Sequence, residues 1–275
     1  MLLQEHILTI AVLITCFNRR EKTLACLRRL AGQQLPQNHR LQVYLVDDGC
    51  TDGTAEAVRD SSPDVRILQG TGSLYWAGGM RFAWAEAAKD QPDYFLLLND
   101  DTEILPHAIS TLLEINGTPE ARVIAVAAIA DPATGQVIYG AYRNGITGNL
   151  PDSDSKDHCH TFNANCVLVT SAVYREIGIL DAAYTHGMAD HDYGYAASRA
   201  HINIVQSAQT LGTCPPNSKK GTWQDASLPR RKRWELVRRP NGLLWRDWLT
   251  YCRRHLGWKW PIYFAGPYLR ILLKK

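Results

Sequence analysis

The sequence has no C-x-x-C pair, no apolar run approaching a membrane span, no G-x-x-x-x-G-K-[ST] loop and no internal repeat of solenoid type. Each absence removes a class. The seven cysteines (Cys16, Cys26, Cys50, Cys159, Cys166, Cys214, Cys252) are odd in number and scattered. That pattern argues against a disulfide framework or a zinc ribbon and for a reducing compartment. His158, Cys159, His160 and Cys166 are crowded within a polar, loop-like stretch and make a poor metal site. Ile7 to Ile14 is the longest apolar run near the N-terminus, far short of the roughly 20 residues of a membrane-spanning helix. Glu5 and His6 precede it where a secretory leader would be basic, and its β-branched residues suit a buried first strand. The missing phosphate loop excludes a P-loop nucleotidase.

What remains is an ordinary globular composition of 275 residues, 45% hydrophobic and 21% charged, long enough for a substantial core. The net charge of +3 conceals a division: residues 1–227 carry 17 Lys and Arg against 25 Asp and Glu, whereas residues 228–275 carry 13 against 2. Two parts are expected, an α/β domain over 1–227 and a basic, aromatic helical extension over 228–275.

Apolar runs alternate with helical periodicity through the first half. ILTIAVLI (7–14), LQVYLV (41–46), VRIL (65–68), YFLLL (94–98) and VIAVAAIA (123–130) read as strands, with helices over Glu21 to Ala31 and Met80 to Lys89. Unalternating strands separated by helices predict a mostly parallel sheet covered on both faces. Further strands are expected at Val137 to Tyr142 and 165–170, a loop at Gly145 to Lys156, and helices after Ser171 and over Asp190 to Ala200.

Ligands of such sheets sit at the carboxyl ends of the strands. Three polar clusters fall there: Thr15 to Arg19, Asp47 to Thr54, and Asn99-Asp100-Asp101. Asp and Asn also cap helices, and Pro106 can open the next one. Acidic loops converging on one edge nevertheless repel each other unless a cation relieves them. Mg2+ or Mn2+ would do so through oxygen ligands, bridging carboxylates to substrate phosphates.

The ordered set ITCFNRREKTLACLRRL (14–30), VYLVDDGCTDGT (43–54), GTGSLYWAGGMRFAW (70–84), YFLLLNDDTEIL (94–105) and GMADHDYGYAASRA (187–200) resembles the family 2 glycosyltransferases of GT-A fold. It is similar to bacterial rhamnosyltransferase-like polysaccharide enzymes. The resemblance implies a Rossmann-like α/β domain and inverting transfer of a sugar from a nucleotide-diphosphate donor to a glycan or lipid-linked acceptor. It further implies that Thr15, Phe17, Asn18 and Arg19 border the nucleotide and that Asp48 reads base or ribose. Asn99-Asp100-Asp101 stands at the family's D-x-D motif, with Asp101 the metal ligand and Asn replacing the first Asp. Gly70 to Gly79 is expected to close over the donor, Gly78 and Gly79 allowing close backbone approach and Trp76 stacking on sugar or base. Asp190 matches the catalytic base, with Asp192 and His191 as fallbacks.

Six of the eight tryptophans lie between residues 223 and 260. Leu244, Trp245, Trp248, Leu249, Cys252 and Leu256 share one helical face, with Arg246, Arg253 and Arg254 elsewhere, which fits either a hairpin packed on the domain or a helix on an anionic membrane surface. WPIYFAGPYLRILLKK is expected to be broken at Pro261 and Pro267. No nucleic-acid module accompanies the charge. The expectation is a cytoplasmic enzyme at the inner face of the cell membrane, with a homo-oligomer also compatible. Two other classes compete: a sugar-nucleotide nucleotidyltransferase, which needs a Gly-rich loop where TCFNRRE stands, and a catalytically silent membrane-binding partner of a transferase.

Overall fold

The computed structural model of the protein describes residues 7–143 and 159–273. The loop expected at Gly145 to Lys156, and His158, lie outside the described residues. The first half of the chain forms β1 (Leu8–Cys16), α1 (Arg20–Ala31), β2 (His39–Asp47), α2 (Thr54–Ser61), β3 (Arg66–Gln69), α3 (Tyr75–Ala88), β4 (Tyr94–Leu98), β5 (Glu103–Ile104), α4 (Ala108–Asn116) and β6 (Val123–Ala130). There follow β7 (Val137–Tyr139), β8 (Ala141–Tyr142), β9 (Thr161–Phe162), β10 (Cys166–Thr170), α5 (Ser171–Ile177), α6 (Ala189–Arg199) and β11 (Asn203–Thr213). The C-terminal part holds α7 (Arg230–Val237), α8 (Trp245–His255) and α9 (Trp260–Leu273).

Among the described residues nine strands form one sheet, ordered β3-β2-β1-β4-β10-β6-β11-β5 with β7 paired to β6, while β8 and β9 make a separate pair. β1 runs parallel to β2 and β4, and β2 parallel to β3, as the apolar runs predict. β10 enters antiparallel between β4 and β6, so the sheet is mostly, not wholly, parallel. Ile10, Val12 and Ile14 pack into one core with Leu27, Leu30 and Leu112, whereas Ala11 and Leu13 join Met80 and Trp84 on the other face. Because both faces are buried, these strands are apolar at successive positions.

α3 begins at Tyr75, five residues before the Met80 start expected from periodicity, so Gly78 and Gly79 are buried inside its first turns. A Cβ on Gly79 would lie 2.2 Å from Thr15 Oγ1 and 2.7 Å from Thr15 Cβ. The missing side chain lets α3 lie directly on the end of β1. Gly78 would meet side-chain atoms of Leu74 and Arg81 at 3.3 Å or more. Gly79→Ala is therefore expected to lower stability by about 1–3 kcal/mol through overpacking, although Ala is the better helix former by about 0.5–1 kcal/mol where space allows. Gly78→Ala is expected to change little. Urea denaturation of the two variants measures the contrast, and equal midpoints would remove this packing role from Gly79.

The C-terminal helices are built into the domain. Trp248, Tyr251 and Cys252 of α8 belong to the same core cluster as Trp84 of α3 and Tyr193 of α6. The central part of the stripe that fits a membrane face in sequence is thus a packing face, because the same 3.6-residue periodicity serves both uses. α9 also runs through Pro267 instead of breaking there. Proline cannot donate to the carbonyl four residues back. The indole Nε1 of Trp248 donates to that carbonyl, Tyr263 O, at 3.3 Å and satisfies it. Among the described residues no helix is long and apolar enough to cross a membrane.

Candidate active site

Parallel pairing brings the carboxyl ends of β1, β2 and β4 to one sheet edge, and the loops beyond them are tied together. Asn18 Oδ1 accepts from Thr51 N at 2.7 Å, and Asn18 N donates to Cys50 Sγ at 3.2 Å. Buried Asp48 accepts from Gly72 N at 2.8 Å and from Tyr75 N at 2.9 Å, fixing the 70–75 segment beside the β2 loop. Asn18 and Tyr75, and Met188 just before α6, all adopt positive φ (51°, 54° and 72°). Such left-handed backbone at non-glycine residues persists where surrounding structure enforces it.

A cavity of about 790 Å³ opens over this edge, within the size range of small-molecule sites. Thr15, Phe17, Arg19, Asp48, Trp76, Asn99, Asp100, Asp101 and Asp190 all line it. Asn18, Gly78 and Gly79 stand outside its wall: Asn18 ties two loops, and the glycines serve helix packing. Trp76 is oriented at the wall by its indole edge, whose Nε1 donates to Asn99 Oδ1 at 2.7 Å. An indole nitrogen only donates, so this contact fixes the Asn99 amide with its NH2 group turned away from Trp76.

Asp100 and Asp101 follow β4, and Arg19 reaches them from the start of α1. Its Nη1 lies 2.8 Å from Asp101 Oδ2 and 3.2 Å from Asp100 Oδ1. Lys22 Nζ stands 3.8 Å from the same Asp101 oxygen. Burial, opposed by Arg19 and reinforced by Asp101, raises the Asp100 carboxyl to about 6. Burial works against the charge on Arg19, but the two carboxylates outweigh it and raise its pKa.

The donor chemistry at Asp101 suits a divalent cation of the Mg2+ or Mn2+ type: a hard carboxylate, 19% exposed on the cavity wall, that already draws two cationic side chains. Cys16, Asp47 and Cys50 also gather three ligand atoms within 4.8 Å. Two of these are sulfur, which hard cations avoid, and burial pushes both thiols upward and keeps them protonated.

Asp190 enters from the first turn of α6. Its Oδ1 accepts from His191 N at 2.9 Å and its Oδ2 from Ala164 N at 3.1 Å, so the carboxylate is held at the wall by backbone donors. The fallback bases are engaged elsewhere. His191 is buried against Thr161 and Asn163. Asp192 accepts from Tyr184 OH at 2.9 Å and lies 2.7 Å from His255 Nε2 and 3.2 Å from Arg254 Nη1. Neither lines the cavity.

Several wall residues escape sequence reasoning. His186 is one; it accepts from Trp76 N through Nδ1 at 3.4 Å, and burial lowers its pKa and keeps it neutral. With Nδ1 accepting, the neutral ring carries its proton on Nε2. Its place four residues before Asp190 was the available signal. Tyr139 at the end of β7 and the loop residues Asn163, Asn217, Arg239 and Asn241 add to the outer wall, with no motif to mark them.

Comparisons with known proteins follow from this geometry. No curated protein sequence matches the chain significantly. The mannosyltransferase PcManGT from Pyrobaculum calidifontis, solved with GDP-Man and Mn2+, superimposes with a TM-score of 0.60 at 15% identity, over 95% of this chain and 69% of that one. TarS 1-349 from S. aureus, solved with UDP-GlcNAc, gives a TM-score of 0.56 at 13% identity, over 88% and 67%. At these identities the likeness concerns the fold, a GT-A arrangement of mostly parallel sheet and flanking helices. The profile of glycosyl transferase family 2 matches residues 11–177, more than half of the chain, from β1 through the acidic end of β4 to α5. The chain therefore belongs to glycosyl transferase family 2.

Proposed function

We propose that the protein is a metal-dependent inverting glycosyltransferase, moving a sugar from a nucleotide-diphosphate donor to a hydroxyl of a glycan or lipid-linked acceptor in bacterial surface polysaccharide synthesis. The observation that carries this reading is one cavity with Asp101 and Asp190 both on its wall. Asp190 takes the proton from the acceptor hydroxyl as its oxygen forms a bond to the anomeric carbon, and the bond from that carbon to the diphosphate breaks. Attack opposite the leaving group inverts the anomeric centre. Asp101 would hold Mg2+ or Mn2+, which when bound neutralises charge on the departing diphosphate. The GDP-Man, Mn2+ and UDP-GlcNAc named for the fold neighbours support a nucleotide-sugar donor. Incubation with UDP-, GDP- and dTDP-sugars and an acceptor pool, read by proton NMR of the product's anomeric signal, tests it. Inverted configuration is expected; retained configuration, or no release of nucleoside diphosphate from any donor, would overturn it, the latter in favour of a silent partner.

The membrane contact belongs to α9 and the turn before it. Trp258 is 82% exposed and Ile262 71%, with Leu269, Leu272 and Leu273 also open. Lys259 lies over the Trp258 ring at 5.7 Å and Arg253 over Trp260 at 5.0 Å. Exposed apolar side chains set among cations fit an anionic bilayer surface. Trp258→Ser with Ile262→Ser is expected to reduce sedimentation with phosphatidylserine vesicles at least about tenfold, given the apolar area these two residues would bury. Unchanged binding would remove α9 from the membrane.

A further inference from the structure

Arg19 is anchored at its backbone and half-exposed along its side chain. Its carbonyl accepts from Thr23 N at 2.9 Å and from Thr23 Oγ1 at 3.1 Å, anchoring the residue at the start of α1. Its side chain is 47% exposed and lines the cavity, with Nη1 2.8 Å from Asp101 Oδ2. Lys22, one turn further along α1, adds a second positive charge at that oxygen, and Cys214 Sγ lies 3.8 Å from the other one. The carboxylate best placed for a metal thus has both oxygens engaged by this chain's own side chains.

We infer that Arg19 competes with the divalent cation for Asp101, and that the donor's diphosphate frees Asp101 by giving the guanidinium, which also pairs with Asp100 at 3.2 Å, a further anionic partner. The inference rests on the transferase reading above. A guanidinium nitrogen and a metal ion compete for Asp101 Oδ2, because two positive charges held there would repel each other within one carboxylate's reach. A guanidinium also pairs with phosphate oxygens through paired N–H donors, so a diphosphate in the cavity offers an equivalent or better partner. Cation and nucleotide consequently load as a coupled pair, each raising the affinity of the other by the same factor. Arg19 is a positioning residue in this scheme: it keeps the bare cation out and then turns to the diphosphate.

The test reads Mn2+ binding directly, through loss of the free-ion electron paramagnetic resonance signal, with and without UDP, GDP or dTDP. Arg19→Met is expected to bind Mn2+ alone about fivefold to tenfold more tightly than the unmodified protein, the scale of one partly exposed ion pair. The enhancement of Mn2+ affinity by nucleotide is expected to shrink by at least that factor. Arg20→Met, next to it and outside the cavity wall, serves as the unchanged control. Should Arg19→Met fail to fold, Lys22→Met and Arg19→Lys test the same competition with smaller expected gains. Equal Mn2+ affinity without nucleotide in all these proteins overturns the competition while leaving the transferase reading in place, provided that nucleotide still enhances Mn2+ binding. No Mn2+ binding under any condition overturns both.

Discussion

Asp190→Asn is expected to lower the rate of sugar transfer by about 10²- to 10⁴-fold, the contribution of a positioned general base, while donor affinity stays within about twofold of the unmodified protein. Both carboxylate oxygens of Asp190 accept from backbone N–H groups, so an amide at this position must set its own NH2 against one of those donors. Asp190→Ala, which sets no NH2 against those donors, separates loss of the base from this local conflict. If proton removal is the role, both variants bind donor and neither transfers. A variant that binds donor and retains more than about a tenth of the activity would place the base elsewhere, because neither His191 nor Asp192 faces the cavity as the structure stands.

The second large effect is expected on stability. Asp192 of α6 is buried, accepts from Tyr184, and holds the C-terminal part against α6 through His255 and Arg254, and Arg254 also pairs with Asp181 at 2.7 Å. The His255 side chain is 2% exposed. Asp192→Ala leaves a buried hydroxyl and a buried imidazole without their acceptor, and a loss of about 3–5 kcal/mol is expected. Burial alone would raise the Asp192 carboxyl, but its hydrogen bonds from His255 and Tyr184 and the charge of Arg254 hold it below the ordinary value of 3.8. A carboxylate with a depressed folded value stabilises the fold above its unfolded pKa and loses that contribution as pH falls through the folded one. Acid unfolding of the parent protein therefore draws on Asp192 below about pH 4, and Asp192→Asn is expected to flatten that limb. Urea midpoints at pH 7 and pH 3.5 measure both; a variant with parental stability at pH 7 would show that the clamp is incidental.

The sheet was legible because its strands are buried on both faces. YFLLL cannot face water on either side, and all five residues are buried in β4, so the acids that follow had to lie at a sheet edge. The antiparallel insertion of β10 was not legible, since NCVLVT reads the same in either direction. Gly78 and Gly79 masked the start of α3, because two adjacent glycines are poor helix formers and only the neighbouring Thr15 shows why they are needed. The inner half of the cavity wall follows strand ends, where the sequence motifs lie. Its outer half, Tyr139 of β7 with Asn163, Asn217 and Arg239 to Asn241 from loops, comes from segments distant in sequence, and nothing local announces that they meet. The helical stripe of α8 was ambiguous for a different reason: packing and membrane faces obey one periodicity, and only the partner decides.

The most direct measurement is the thermal midpoint of the purified protein with UDP, GDP and dTDP and their sugars, each with and without Mn2+. A ligand that binds only the folded state raises its stability, by about 2.7 kcal/mol at one hundred times its dissociation constant. If the cavity is a nucleotide-sugar site with a metal at Asp101, at least one nucleoside diphosphate raises the midpoint, and Mn2+ enlarges the rise. A midpoint unmoved by every nucleotide, with or without Mn2+, would contradict it.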